Sequence, residues 1–179
     1  GREGEMLRWS NFHYTSQAYF IASYQKPASV LATLRGLLGE ETFNRALRSL
    51  FDRWSFRHPY PWDFFATFEA VSGRDLDWFW RAWYHETWTL DQAVGSVSET
   101  ADGARIVVED RGDVPMPARL TVTRADGRVE RREIPVETWL GGARTASVTL
   151  PPGSPVQRVE IDAGREFPDI DRQNNVWPR

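Results

Sequence analysis

Phe43-Asn44-Arg45-Ala46-Leu47-Arg48-Ser49-Leu50-Phe51-Asp52-Arg53-Trp54 decides the first half of the chain. Phe43, Ala46, Leu47, Leu50, Phe51 and Trp54 recur at i, i+3, i+4, i+7, i+8 and i+11. At about 3.6 residues per turn that pattern puts all six on one stripe of a helix. An apolar stripe needs partners, and the sequence supplies them on both sides. Before it, Val30, Leu31, Leu34, Leu37 and Leu38 follow helical spacing, with Pro27 suited to a first turn and Gly39 to a C-terminal cap. After it, Pro61 opens a segment carrying Phe64, Phe65, Phe68 and Val71, and Gly73 closes it as a left-handed cap. Leu76, Phe79, Trp80, Trp83 and Tyr84 mark a fourth helix. The Trp-rich stretch from Trp78 to Trp88 has helical spacing, so it reads as packing rather than as a ligand cage. Links as short as Ser72-Gly73-Arg74 force neighbouring helices together, which predicts a helical bundle over roughly residues 10 to 88.

Beyond Leu90 the period changes to two. Ala118, Leu120 and Val122 alternate with Arg119, Thr121 and Thr123, and Ala146, Val148 and Leu150 alternate with polar residues, as half-buried strands do. Asp102-Gly103 and Asp126-Gly127 fall between such runs, where a tight hairpin needs positive φ. The expectation is an α+β chain of two domains. Residues 1–90 form a helical bundle, and residues 91–179 form an Ig-like antiparallel β-sandwich of about six strands.

Composition narrows the function. A chain of 179 residues, 41% hydrophobic, can bury a core in each half. The net charge of -3 comes with Lys and Arg scattered along the chain, so a nucleic-acid or anionic-membrane partner is not expected. No apolar run is long enough to form a transmembrane segment. Cysteine is absent, which excludes disulfides, thiolate metal sites and a cysteine nucleophile and leaves the compartment unassigned, cytoplasmic or extracytoplasmic. The chain starts Gly1-Arg2-Glu3 rather than with Met, as an excised piece would.

No complete catalytic apparatus can be read. A zinc-peptidase helix needs two His one turn apart with a Glu between them, and His13, His58 and His85 are too far apart in sequence for that. There is no G-x-S-x-G elbow and no phosphate-binding glycine loop. The stretch Asp169-Ile170-Asp171-Arg172-Gln173-Asn174-Asn175 lacks the central Gly and final Glu of a calcium loop, and reads as a hydrogen-bonded terminal loop.

One stretch carries more. Tyr24-Gln25-Lys26-Pro27-Ala28-Ser29-Val30-Leu31, followed by Leu38-Gly39-Glu40-Glu41-Thr42-Phe43, resembles the segment after the zinc-binding helices in zinc aminopeptidases of the aminopeptidase N type, a gluzincin family. That family reads Tyr-x-Lys-Gly-Ala, an apolar helix, then Leu-Gly-x-x-x-Phe; Pro27 stands where it usually has Gly. The likeness runs on through Trp54-Ser55-Phe56-Arg57-His58-Pro59, Asp63-Phe64-Phe65, Ser72-Gly73 and Leu76-Asp77-Trp78-Phe79-Trp80, at consistent spacing over about half the chain. The second half is similar to the β domain that follows in these enzymes, with Pro115-Met116-Pro117 and a closing Phe167-Pro168-Asp169.

The resemblance implies a hydrolase that removes N-terminal residues from peptide substrates. It implies that zinc is held by residues of the parent enzyme and none by this chain. The partner of this chain would then be an N-terminal catalytic half that the sequence does not contain. It also implies a role for Tyr24 as donor to the oxyanion of the tetrahedral intermediate. A phenol suits that work, because it carries no charge at neutral pH and a stiff ring aims it at the charge that develops. Lys26, two residues on, is read as a solvated lysine at a helix start and is kept out of the catalytic set. On this reading the chain alone is inactive, and the face that meets the absent half exposes aromatic side chains and favours self-association. The alternative is a noncatalytic helical and Ig-like interaction module that retains the peptidase scaffold.

Overall fold

The computed structural model describes residues 3–178. The chain divides into two compact units, Gly1–Thr87 and Trp88–Arg179. The first is helical and the second is an antiparallel two-sheet β-sandwich, so the α+β expectation holds. Among the described residues no helix is long and apolar enough to cross a membrane.

In the helical unit, a short turn at Ser10–Phe12 precedes α1 (Ser16–Phe20), a wide π-helical turn (Ile21–Gln25) and α2 (Lys26–Leu38). Then come α3 (Glu40–Trp54), α4 (Pro61–Ser72), α5 (Asp77–Trp80) and a second wide turn (Arg81–His85). The punctuation is chemical. The Thr15 hydroxyl accepts from the Ala18 N–H at 3.0 Å to start α1. Gly39, at φ 80°, ends α2 and admits α3, whose first turn carries Glu40 and Glu41 against the positive helix end. The Asp63 carboxylate accepts from the Tyr60 N–H at 2.8 Å, and Gly73 closes α4 in the left-handed conformation.

Val30, Leu34 and Leu37 of α2, Phe43 and Ala46 of α3, Phe68 of α4, and Leu76, Phe79, Trp80 and Trp83 form the buried interior. Its aromatic members interlock, with the Phe65 and Trp80 rings stacked at 4.5 Å and Phe64 and Phe68 at 4.5 Å. The α3 stripe is only half used. Phe43 and Ala46 are buried, whereas Phe51 is 72% exposed and lines an open groove with Leu47, Leu50, Trp54 and Pro59. α3 packs on α2 and α4, and along the rest of the stripe Leu47, Leu50 and Trp54 are half-buried.

Among the described residues the sandwich has seven strands. β1 (Gln92–Thr100), β2 (Gly103–Asp110) and β5 (Thr145–Leu150) make one sheet in the order β1-β2-β5. β3 (Ala118–Arg124), β4 (Val129–Ile134), β6 (Val156–Ile161) and β7 (Val176–Trp177) make the other, in the order β4-β3-β6-β7, and α6 (Val136–Leu140) lies between β4 and β5 in sequence. Alternation does what the sequence expects: Ala118, Leu120, Val122 on β3 and Ala104, Ile106, Val108 on β2 point into one core with Trp139, Val159 and Ile161. The β1–β2 hairpin pairs Thr100 with Gly103, so the two loop residues are Ala101 and Asp102, and Gly103 opens β2. Residues 169–175 form a bonded loop: Asn174 Nδ2 donates to Asp91 at 2.7 Å, and Asn175 Nδ2 donates to the Gln92 carbonyl at 3.0 Å.

Candidate functional site

Residues 16–38 run as helix without a break, α1 into the first wide turn into α2, so Pro27 does not open a helix as the sequence suggests. It lies inside one, directly after a wide turn that accommodates it. A proline within a helix cannot donate to the carbonyl four residues back, and its ring crowds that carbonyl, here Ser23. Inserting one residue into the preceding turn relieves the clash, and the Lys26 N–H bonds the Ile21 carbonyl, five residues back.

The extra residue also resets which side chains face inward. Ala18, Ala22 and Val30 are buried, and so is Lys26, at spacings of four. In a regular helix three such steps drift by about 120°, at about 100° per residue; one inserted residue cuts the drift to about 20°. Lys26 therefore falls on the buried stripe. It is 8% exposed, which overturns the reading of a solvated lysine. Its Nζ donates to the Glu86 carbonyl at 2.8 Å and pairs with the Glu3 carboxylate at 3.4 Å.

Tyr24 is on the opposite side of that turn. Its ring is 58% exposed, stacked on Phe20 at 5.2 Å and edge-on to Tyr19 at 6.4 Å. His13 packs edge-on against Tyr19 at 5.8 Å, so His13, Tyr19, Phe20 and Tyr24 make one aromatic surface. His58 and His85 are both exposed.

Among the described residues the only set of three side chains able to share a metal ion is Glu69, Asp75 and Asp77. Glu69 Oε1 accepts from the Leu76 N–H at 3.2 Å and from Trp80 Nε1 at 3.1 Å, and Asp75 accepts from the Asp77 N–H at 3.0 Å. These carboxylates organise the start of α5. An all-oxygen set without His, already engaged with backbone and indole donors, does not fit zinc. Sequence reasoning missed Lys26, whose signal was the run of inward positions four apart.

Residues 7–83 match the peptidase family M1 domain. Aminopeptidase N of Streptomyces lividans is 33% identical over 97 residues, 54% of this chain and 11% of that protein. Aminopeptidase A of Legionella pneumophila, solved in complex with aspartic acid, aligns with 77% of this chain and 16% of its own, at a TM-score of 0.54 and 17% identity. The chain thus spans well under a fifth of the length of either protein. At that identity the structural likeness concerns the fold, whereas the family match, over residues 7–83, concerns the segment that bears Tyr24, Lys26 and Pro27 and is a similarity to the peptidase family M1 domain.

Proposed function

We propose that this chain is a C-terminal part of an aminopeptidase in which the Tyr24 hydroxyl donates a hydrogen bond to the oxygen of the scissile carbonyl as that oxygen gains charge. Residues 1–90 are the helical end of the catalytic domain on this reading, and residues 91–179 are the β domain that follows it. The observation that carries it is the placement of Tyr24: an exposed phenol on a wide turn whose flanking residues, Ala22 and Lys26, are anchored in the interior. A donor fixed on a rigid element loses little freedom when charge develops, and so favours the transition state over the bound substrate. Zinc, which such enzymes use to polarise the carbonyl and activate water, would be held by residues of the parent enzyme outside this chain. The substrate is a peptide with a free N-terminus.

The test is Tyr24→Phe in the parent enzyme, assayed on an amino-acid p-nitroanilide. Loss of one oxyanion donor lowers kcat by about 100-fold or more with KM little changed. Turnover equal to that of the unchanged enzyme would remove Tyr24 from the mechanism. The chain alone is expected to show no hydrolysis of the same substrate.

A further inference from the structure

Lys26 ties together two irregular turns that sequence distance keeps apart. Its backbone N–H closes the first wide turn on the Ile21 carbonyl. Its side-chain Nζ reaches the carbonyl of Glu86, the residue that follows the second wide turn, Arg81–His85, at 2.8 Å. The N-terminal segment joins at the same place: the Glu3 carboxylate lies 3.4 Å from Nζ, and the Leu7 N–H donates to the Tyr84 carbonyl inside the second wide turn at 3.4 Å.

Burying an amine is unfavourable unless its bonds repay the lost hydration, and an apolar side chain would fill the same space without that loss. The Tyr24 ring cannot hold the turn by itself, since its two aromatic neighbours, Tyr19 and Phe20, are themselves exposed. A wide turn closed by i to i−5 bonds is also less regular than the helices on either side of it. A polar tie from this turn to the rest of the helical unit is made two residues on, by Lys26. We propose that Lys26 is a positioning residue for Tyr24, its buried amine clasping the tyrosine-bearing turn to the Glu86 carbonyl. The catalytic meaning of this clasp rests on the Tyr24 reading above, but the clasp can be measured without it.

The chain contains no cysteine, so Lys26→Cys introduces a single thiol that 2-bromoethylamine, applied to the unfolded chain, converts to a side chain with an amine at nearly the reach of lysine. Amide hydrogen exchange is read by NMR in the unchanged chain, in Lys26→Met and in the refolded alkylated Lys26→Cys. Lys26→Met is expected to speed exchange in residues 21–26 by roughly 10- to 100-fold, the range set by losing one charged donor. Exchange in the α3 amides should be unchanged, and the Tyr24 ring should lose its cross-relaxation to Phe20. Alkylated Lys26→Cys restores both. Unchanged protection in Lys26→Met, loss of protection in α3 as well, or failure of the alkylated chain to recover would each overturn the proposal. Failure of the Tyr24 reading appears elsewhere, as undiminished kcat in Tyr24→Phe.

Discussion

Asp110 gives the sandwich a pH dependence whose sign can be worked out. It ends β2 on the inward face that carries Ala104, Ile106 and Val108, and is 8% exposed. Its Oδ1 has no hydrogen-bond partner, and its Oδ2 is 3.4 Å from Arg144 Nη1, which also donates to the Gly112 carbonyl. Burial pushes the carboxyl up to about 6; Arg144 opposes the shift, and Asp113 and Asp91 add to it. The folded value is therefore above the unfolded one of about 3.9. Between the two the folded state binds more protons, so the contribution of this group to stability is greatest below about pH 4, falls as pH rises towards 6, and is level above it. Two units at about 1.36 kcal/mol each set a ceiling of about 3 kcal/mol, and screening by nearby solvent brings the expected penalty to about 1–2 kcal/mol. Asp110→Asn keeps the shape and removes the charge. Urea unfolding of both chains at pH 4, 5, 6 and 7 should show the variant gaining about 1 kcal/mol or more at pH 7 relative to its difference at pH 4. A difference independent of pH, or one that grows against the variant as pH rises, refutes the reasoning.

Three further outcomes follow from packing. Arg124, 1% exposed, donates to Glu130 at 2.5 Å and to the carbonyls of Ser154 and Pro151 at 2.7 and 2.9 Å; Arg124→Met leaves those loop carbonyls unpaired and should cost about 3 kcal/mol in urea unfolding, with a cost below about 1 kcal/mol counting against the network. Gly103 sits at φ 124°, and a Cβ there would come within 1.9 Å of the Leu150 carbonyl oxygen; Gly103→Ala should lower the melting temperature of the sandwich by more than about 10 °C, and an unchanged melt would contradict the hairpin geometry. Trp9, Phe12, Tyr14, Phe20 and Tyr24 are exposed together with Phe51, so the isolated chain is expected to self-associate, and light scattering that reports only monomer at high concentration would sink this.

The periodicity of the sequence reports faces, and where faces decide structure it was sufficient. β3 buries every second residue, as its alternation predicts, because a pleated strand between a core and solvent admits no other register. Gly39 and Gly73 ended helices where expected, since positive φ is cheap only for glycine there. What periodicity cannot report is how far a face is covered. The α3 stripe is continuous in sequence, yet Leu47, Leu50 and Trp54 are only half-buried and Phe51 is left in solvent.

The site was less legible for a different reason. A single tyrosine forms no pattern, so only the Tyr-x-Lys context drew attention to Tyr24, and hydropathy assigned Lys26 to the outside by residue type. The information was nevertheless present as geometry: Ala18, Ala22, Lys26 and Val30 recur four apart, a spacing that lines up more closely if the helix gains a residue between them, and Pro27 supplies a steric reason for that gain. Tyr24 and Lys26 are two residues apart, about 200° around a helix, so an inward amine leaves the phenol outward. The inserted residue brings Lys26 and Val30 closer into line with Ala18 and Ala22, which ties the turn bearing Tyr24 to the interior. A phenol held towards solvent and an amine held in the interior thus share one turn of backbone, which is why changing Lys26 should be felt at Tyr24.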